Sequence, residues 1–425
     1  MTSDSNSFDA SILDDNRFSK ETIIRRAINA NLRVGTIEAL DRVLRYATNE
    51  EAPEKMRAEA LETIRTWAEP SVHDRVDGRY RGVVKRDKAP VKNRITSKID
   101  RFLDDSKPSV VISAIQTVGE FGINESTPKV LTLMSGHKKS SVRSEALLAL
   151  KELNYPELKN ALSSALADKS KKVRATALSI IPESELEEES AVSLLETMYT
   201  NGTRLERQSV LASLAKYSGN KATQFFSRLF TEMKTGDVEK ELHLDILEGI
   251  RTQNNEGLLE QLSAFESSKE ESNPLALYEE TLYGGSEALG EKIFYEHEAA
   301  QCVRCHSIYE WGGDAGPGLQ GLSTRLDKNQ ILESLIEPSA TIAIGYAVVS
   351  LELANGESLV APVANETDTS IQLRLGKNEL RTVSKTEITE REDIPSSMPG
   401  VKNILSKMEI RDLVAFLNSI ELEES

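Results

Sequence analysis

Cysteine is nearly missing from this chain: its 425 residues hold two, three positions apart, so a disulfide framework is excluded. Aromatic residues are scarce at 5%, and hydrophobic residues reach only 39%, a lean supply for a compact enzyme core. Positive charge is in deficit, with Lys+Arg 52 against Asp+Glu 68 and a formal net charge of −16. Phosphate contacts need a basic face, so a general nucleic-acid binder is excluded. No apolar run approaches the ~18 residues of a membrane span. The opening residues, Met1 to Phe8, show neither a basic segment nor an apolar one, and taken alone read as a cytosolic start. At ~100–200 residues per domain the length suggests two or three domains.

The first two thirds repeat. Met56-Arg57-Ala58-Glu59-Ala60-Leu61 returns as Val142-Arg143-Ser144-Glu145-Ala146-Leu147 and as Val173-Arg174-Ala175-Thr176-Ala177-Leu178. Aligned, the copies place Ala60, Ala114, Ala146, Ala177, Val210 and Ile246 in register, at spacings of 54, 32, 31, 33 and 36. An aliphatic follows each one position later and again one turn on, while Arg57, Arg143, Arg174, Arg207 and His243 stand three before. That is the inner stripe of an amphipathic helix, with a small residue that admits a close neighbour. Further helical patterns lie between the copies, so each unit is a helix pair, and stacked pairs build an α-solenoid. Spacing and the Asp/Lys-rich turn before Val-Arg-x-x-Ala resemble HEAT repeats. The fold expected is mainly α: a solenoid over 19–270, after a disordered or linking 1–18, with a basic insertion at 70–94. Between Ser71 and Arg94 stand eight Lys or Arg and three Asp, either a solvated loop or a docking strip for an acidic surface.

After a linker at 271–283 the texture changes. Both cysteines stand in Gln301-Cys302-Val303-Arg304-Cys305-His306, in C-x-x-C-H order. This spacing lets two thiols add to the vinyl groups of one haem while the next imidazole reaches the iron. A thioredoxin-like C-x-x-C needs a βαβ context, and a structural zinc site needs four ligands; neither is present in the sequence. Met398, in Ser396-Ser397-Met398-Pro399-Gly400, sits in the loop context of an axial thioether that favours Fe(II). Met408 is a rival better read as a core residue of the last helix, and His297 is a remote bis-His alternative. Between His306 and Met398, alternation over Tyr346–Leu353, the Asn355-Gly356 turn and alternation at Ile371, Leu373 and Leu375 predict a small β-hairpin insertion at 346–392.

Several features around the motif match class I cytochromes c. Gly290 and Phe294 are spaced as in their first helix, and a last helix over Glu409–Ile420 is expected to cross it. By the same resemblance Gly316-Pro317 supplies a carbonyl to the proximal imidazole, which fixes its tautomer. With Glu337-Pro338-Ser339-Ala340, Gly345-Tyr346 and the late Ser-x-Met-Pro, residues 284–422 resemble the haem-binding domain abundant in planctomycetes. That resemblance implies one covalently bound haem c, held by Cys302 and Cys305, with His306 and Met398 on the iron. In that family the domain commonly follows helical repeats and often a propeller resembling sugar dehydrogenases that use pyrroloquinoline quinone. No propeller pattern occurs here, which suggests a piece of a longer polypeptide or an internal start.

The sequence therefore predicts an electron-transfer cytochrome on a helical-repeat scaffold, part of a periplasmic dehydrogenase system. A haem-bearing scaffold that senses redox state or ligands is the alternative. No catalytic residues are found. Of the −16, −11 falls between Gly284 and Ser425, with 12 Lys+Arg against 23 Asp+Glu, so a redox partner or dehydrogenase domain with a basic face is expected. Haem attachment of this type occurs outside the bacterial inner membrane, so an exported, periplasmic protein is expected although no leader is visible.

Overall fold

A computed structural model describes residues 10–14, 18–376 and 379–422. The chain is mainly helical and divides into two compact units, Met1–Gly202 and Thr203–Ser425. Of the segment expected to be disordered, 1–9 and 15–17 lie outside the described residues. Residues 10–14 are ordered against the first helices: Ala10 is buried, and Asp14 accepts from Arg42 at 2.6 Å and Arg45 at 2.8 Å.

The first unit holds α1 (Glu21–Val34), α2 (Ile37–Thr48), α3 (Glu54–Arg65), α4 (Ala89–Leu103), α5 (Pro108–Phe121), α6 (Thr127–Gly136), α7 (Ser140–Glu152), α8 (Leu158–Leu166), α9 (Lys171–Ile180) and α10 (Glu188–Asn201). The second opens with α11 (Arg204–Leu214), α12 (Asn220–Thr235), α13 (His243–Gln253) and α14 (Glu256–Ser267). The six aligned copies occupy α3, α5, α7, α9, α11 and α13. Ala60, Ala114, Ala146, Ala177, Val210 and Ile246 are all 0% exposed, so the stripe read from the sequence is the packed face. Through it α3 meets α5, α5 meets α7 and α7 meets α9 in the first unit, and α11 meets α13 in the second.

Of the arginines that stand three places before the stripe, Arg57, Arg143 and Arg207 reach a carboxylate, and Arg174 donates to the Asp168 backbone carbonyl at 2.7 Å. Arg57 donates to Asp105 at 2.6 Å, Arg143 to both oxygens of Asp168 at 2.7 and 2.8 Å, and Arg207 to Glu239 at 3.0 Å. Arg57 and Arg143 also donate to backbone carbonyls, of Ala47 at 2.9 Å and His137 at 2.6 Å, and their side chains are nearly closed to solvent. The carboxylate-bound guanidiniums thus tie their helices to an acid one repeat further along. Arg143→Ala strands a largely buried carboxylate, and a loss of about 3–5 kcal/mol is expected in chemical unfolding. The hydrogen bonds of Arg143, against the opposing effect of burial, hold the Asp168 carboxyl below the ordinary aspartate range. The unfolded chain therefore binds the proton first on acidification. The stability from this pair is present above the unfolded aspartate pKa of about 4 and lost as pH falls through the lowered folded value. An Arg143→Ala variant should show a weaker acid dependence over that window.

The basic insertion folds back on its own unit. Arg81 donates to the buried Asp74 at 3.1 Å, and Arg86 donates to the carbonyls of Trp67 at 2.6 Å and Leu32 at 2.7 Å. Lys88 meets Glu120 at 2.8 Å, and residues from Ala89 onward are already helix α4. Arg79 and Lys85 keep exposed side chains.

The rest of the second unit contains α15 (Glu287–Glu296), β1 (Ser307–Ile308), β2 (Trp311–Gly312), α16 (Lys328–Ile336), β3 (Val348–Leu353), β4 (Ser358–Glu366), β5 (Ser370–Gly376), β6 (Glu379–Ser384), β7 (Ile388–Ile394) and α17 (Lys407–Ser419). The segment 271–283, expected as a linker, carries a 3-10 helix over Ala276–Leu282 with Ala276, Thr281 and Leu282 buried. α17 crosses α15 as expected. Its face of Ile410, Leu413, Val414 and Leu417 is buried, with Phe416 half-buried 5.9 Å from the Phe294 ring centre. A Cβ on Gly290 would stand 2.0 Å from the Asp412 carbonyl oxygen, so glycine sets how closely these helices meet.

The expected β-hairpin is larger than a hairpin. Five antiparallel strands run in the order β6-β5-β4-β3-β7, and Val348 pairs with Ile394, so the two ends of the insert lie side by side. Its core of Val349, Leu351, Leu353, Ala361, Ile371, Leu373 and Val383 shares no residue with the core around α15 and α17. Strands β4 and β7 account for the difference. The register of β4 slips between Val363 and Asn365, and β7 is exposed at Thr389–Asp393, so neither advertises itself by alternation.

Candidate functional site

Gln301 adopts a left-handed conformation, with φ 46°, and turns the chain out of α15 into a 3-10 helix over Cys302–Arg304. The amides of Cys305 and His306 both donate to the Cys302 carbonyl, at 3.1 and 3.0 Å, which gathers the C-x-x-C-H residues into one tight turn. Both thiols are free; Cys302 is half-buried against the α15/α17 core, and Cys305 is exposed. Burial pushes the Cys302 thiol up, so it is held as an apolar thiol rather than a thiolate.

A returning loop is laced across this turn. Gly313 donates to the Val303 carbonyl at 2.9 Å, Gly316 to Cys305 at 2.8 Å and Leu319 to Ser307 at 2.8 Å. The same lacing carries Pro317 to His306, whose Nδ1 lies 2.9 Å from the Pro317 carbonyl oxygen. A carbonyl only accepts, so Nδ1 donates, and in the neutral imidazole the lone pair then belongs to Nε2. That is the tautomer of a neutral metal-binding imidazole, with a backbone acceptor behind it that raises its basicity. A Cβ on Gly316 would come 2.6 Å from the imidazole Cε1, so only glycine lets the loop lie flat on the ring.

Met398 sits beyond β7. Its amide donates to Ser396 Oγ at 3.2 Å, and Ser396 in turn donates to Ser339 Oγ at 3.1 Å. This pins the methionine loop to the segment after α16. The Met398 side chain is half-buried and packs against the same core cluster that Cys302 and Val303 border. Met408 lies in the first turn of α17, half-buried. His297 is engaged elsewhere: its Nδ1 accepts from the amides of Ala299 at 3.3 Å and Ala300 at 3.1 Å, and its Nε2 lies 3.7 Å from Glu409. Among the described residues no three or more His, Cys, Asp or Glu side chains are gathered to share a metal ion. The donor set of two thiols in one turn and an imidazole poised through Nε2 fits a covalently attached haem.

One polar network went unread in the sequence. Arg411 on α17 donates to Asp245 on α13 at 2.8 Å, with 8% and 4% of the two side chains exposed. Gln208 donates to the same carboxylate at 3.2 Å and to the Gly284 carbonyl at 3.0 Å. Asp412 accepts from the Ser286 amide at 2.8 Å. Within this unit the last repeat helices and the region carrying Cys302 are thus one packed body.

The family model for HEAT repeats matches residues 97–179. These residues resemble HEAT repeats. The matched HEAT segment runs from within α4 to α9 and takes in the Arg143–Asp168 tie. No curated protein matches the chain. Among solved structures, human deoxyhypusine hydroxylase in complex with glycerol aligns with 59% of this chain and 84% of its own, at 11% identity and a TM-score of 0.25. The complex of CpcE and CpcF of phycocyanin lyase from Nostoc sp. PCC7120 aligns with 52% of this chain and 79% of its own, at 14% identity and a TM-score of 0.28. No helix of the described residues is long and apolar enough to cross a membrane.

Proposed function

We propose that residues 284–422 are a c-type cytochrome whose task is electron transfer, carried by the helical repeats as a scaffold. The observation that supports this most is the His306 Nδ1 to Pro317 contact, which assigns Nε2 as the metal-facing nitrogen of the neutral ring in a turn that also carries two free thiols. Cys302 and Cys305 would hold one haem c through thioethers, and His306 and Met398 would be its axial ligands. When bound, that group supplies a one-electron Fe(III)/Fe(II) couple. The residues do the remaining work. Pro317 orients the imidazole, Gly316 lets the loop lie flat on its ring, and the α15/α17 core excludes water from the Cys302 side. With His306 and Met398 both held on its iron, such a group would serve electron transfer rather than oxygen chemistry. Covalent attachment of this kind would put the mature chain outside the bacterial inner membrane, in the periplasm. The acidic balance of the same residues suits a basic redox partner or dehydrogenase domain.

Carbon monoxide tests the ligand assignment. The ferrous wild-type protein is expected to leave its spectrum unchanged under carbon monoxide, whereas Met398→Ala should bind it. Ready binding by the wild type would instead favour the ligand-sensing scaffold.

A further inference from the structure

Directly after His306 the chain makes a two-stranded hairpin, with Ser307 opposite Gly312 and Ile308 opposite Trp311. Its turn is held by Tyr309 at φ 55°, an uncommon conformation for an aromatic residue. Gly313, directly after the hairpin, lies so close to the preceding turn that a Cβ there would stand 1.9 Å from the Arg304 carbonyl oxygen. What this braced turn presents is apolar: Trp311 is 77% exposed and Tyr309 41%, with Tyr295 of α15 38% exposed. Tyr295 lies close enough to Tyr309 and Glu291 to feel both, and burial with these neighbours pushes its phenol up. Tyr309 is anchored from behind, its hydroxyl donating to the Glu421 carbonyl at 3.1 Å. Exposed tryptophan and tyrosine on a rigid backbone are the residue types that anchor protein interfaces. The flanking sequence is acidic: between Gly284 and Asp314 stand six Asp or Glu against two Lys or Arg, all six acids are exposed, and Glu310 and Asp314 bracket Trp311.

We infer that the Tyr309–Trp311 hairpin, with Tyr295 beside it, is the docking face for a basic redox protein. This rests on the cytochrome reading above and names the surface through which that function is exercised. The aromatic side chains supply the desolvated centre of the contact, and the carboxylates around them steer a cationic partner and fix its approach. Short sequence distance to Cys305 and His306 puts this face at the haem-bearing turn rather than on the solenoid. The exchange is a single electron: the partner's ferric iron becomes ferrous, this protein is oxidised by one electron, and no bond or proton is transferred.

The test uses the full exported, haem-loaded chain. Its ferrous form is mixed in stopped flow with a small, strongly basic ferric cytochrome c, and separately with ferricyanide as an oxidant that needs no docking. Trp311→Ala is expected to slow the reaction with the basic cytochrome on the order of tenfold, with the optical spectrum and the ferricyanide rate unchanged. Added salt should slow the wild-type reaction. Glu310→Lys combined with Asp314→Lys, both at exposed positions, should slow it without disturbing the fold, which keeps the test open if the tryptophan variant fails to fold. Unchanged rates in both variants would overturn the assignment. So would an altered spectrum in Trp311→Ala, which would put the indole on the macrocycle, or a dimer of the wild type that Trp311→Ala abolishes, which would give the face to a second copy. A wild-type protein without haem absorbance would instead sink the cytochrome reading beneath it.

Discussion

Exported with the haem-attachment machinery, a chain carrying Cys302→Ala and Cys305→Ala should contain no covalently bound haem, while the wild type keeps its haem through acid extraction and denaturing electrophoresis. The two thiols do not pair with each other, and they flank a turn whose backbone bonds hold both on the segment that ends in His306. A single Cys305→Ala should retain one thioether, because Cys302 is the better seated of the two against the α15/α17 core. Mass spectrometry reads all three outcomes directly as added mass. The loss in the double variant is expected to be complete. A weak axial bond alone does not hold a macrocycle through extraction, and His306 would be the sole firm anchor left.

The second large effect is thermodynamic. Removing the guanidinium of Arg411 leaves Asp245 in a site where 4% of its side chain is exposed, 166 residues away in sequence. An uncompensated buried carboxylate of this kind costs about 3–5 kcal/mol. The expected readout for Arg411→Ala is loss of hydrogen-exchange protection in α17 and the neighbouring α13, with the helices of Met1–Gly202 unaffected. Burial pushes the Asp245 carboxyl up against the opposing pull of Arg411 and Gln208. Without Arg411 the protonated form is favoured further, so the penalty should shrink as pH falls from neutrality through the raised carboxyl value. Replacing both partners by Arg411→Met and Asp245→Leu should restore most of the protection, since the cost lies in the orphaned charge and not in a missing attraction.

How much of this was legible beforehand follows from how local each signal is. The repeat stripe is periodic, and Ala60 through Ile246 proved buried because small and aliphatic residues recur at helical spacing with nothing else to do. The C-x-x-C-H turn and Gly316-Pro317 lie within fifteen residues of each other, close enough for a spacing argument to reach the His306 contact. The Asn355-Gly356 turn marked the β3–β4 connection through the positive φ that Gly356 adopts. What failed to show was non-local or lacked period. The Arg143–Asp168 tie joins adjacent repeats, and the arginines were visible without their acids. The Arg411–Asp245 pair has no local signature at all. Strand β7, Ile-Thr-Glu-Arg-Glu-Asp-Ile, is an edge strand half-buried only at its ends, so its charge masked a strand that closes the insert against β3. Residues 271–283 were expected as a linker, yet Thr281 and Leu282 are packed.

The most direct test of the central claim is an optical spectrum of the exported full chain, oxidised and reduced, beside that of Met398→Ala. The result expected is a c-type spectrum with the far-red band of methionine bound to ferric iron. In the variant that band should vanish, and the midpoint potential should fall by a sizeable part of the ~0.8 V range that axial ligands command. A chain exported under these conditions with no haem absorbance, Cys302 and Cys305 still free, would contradict the account and leave a helical-repeat protein with an unassigned C-terminal domain.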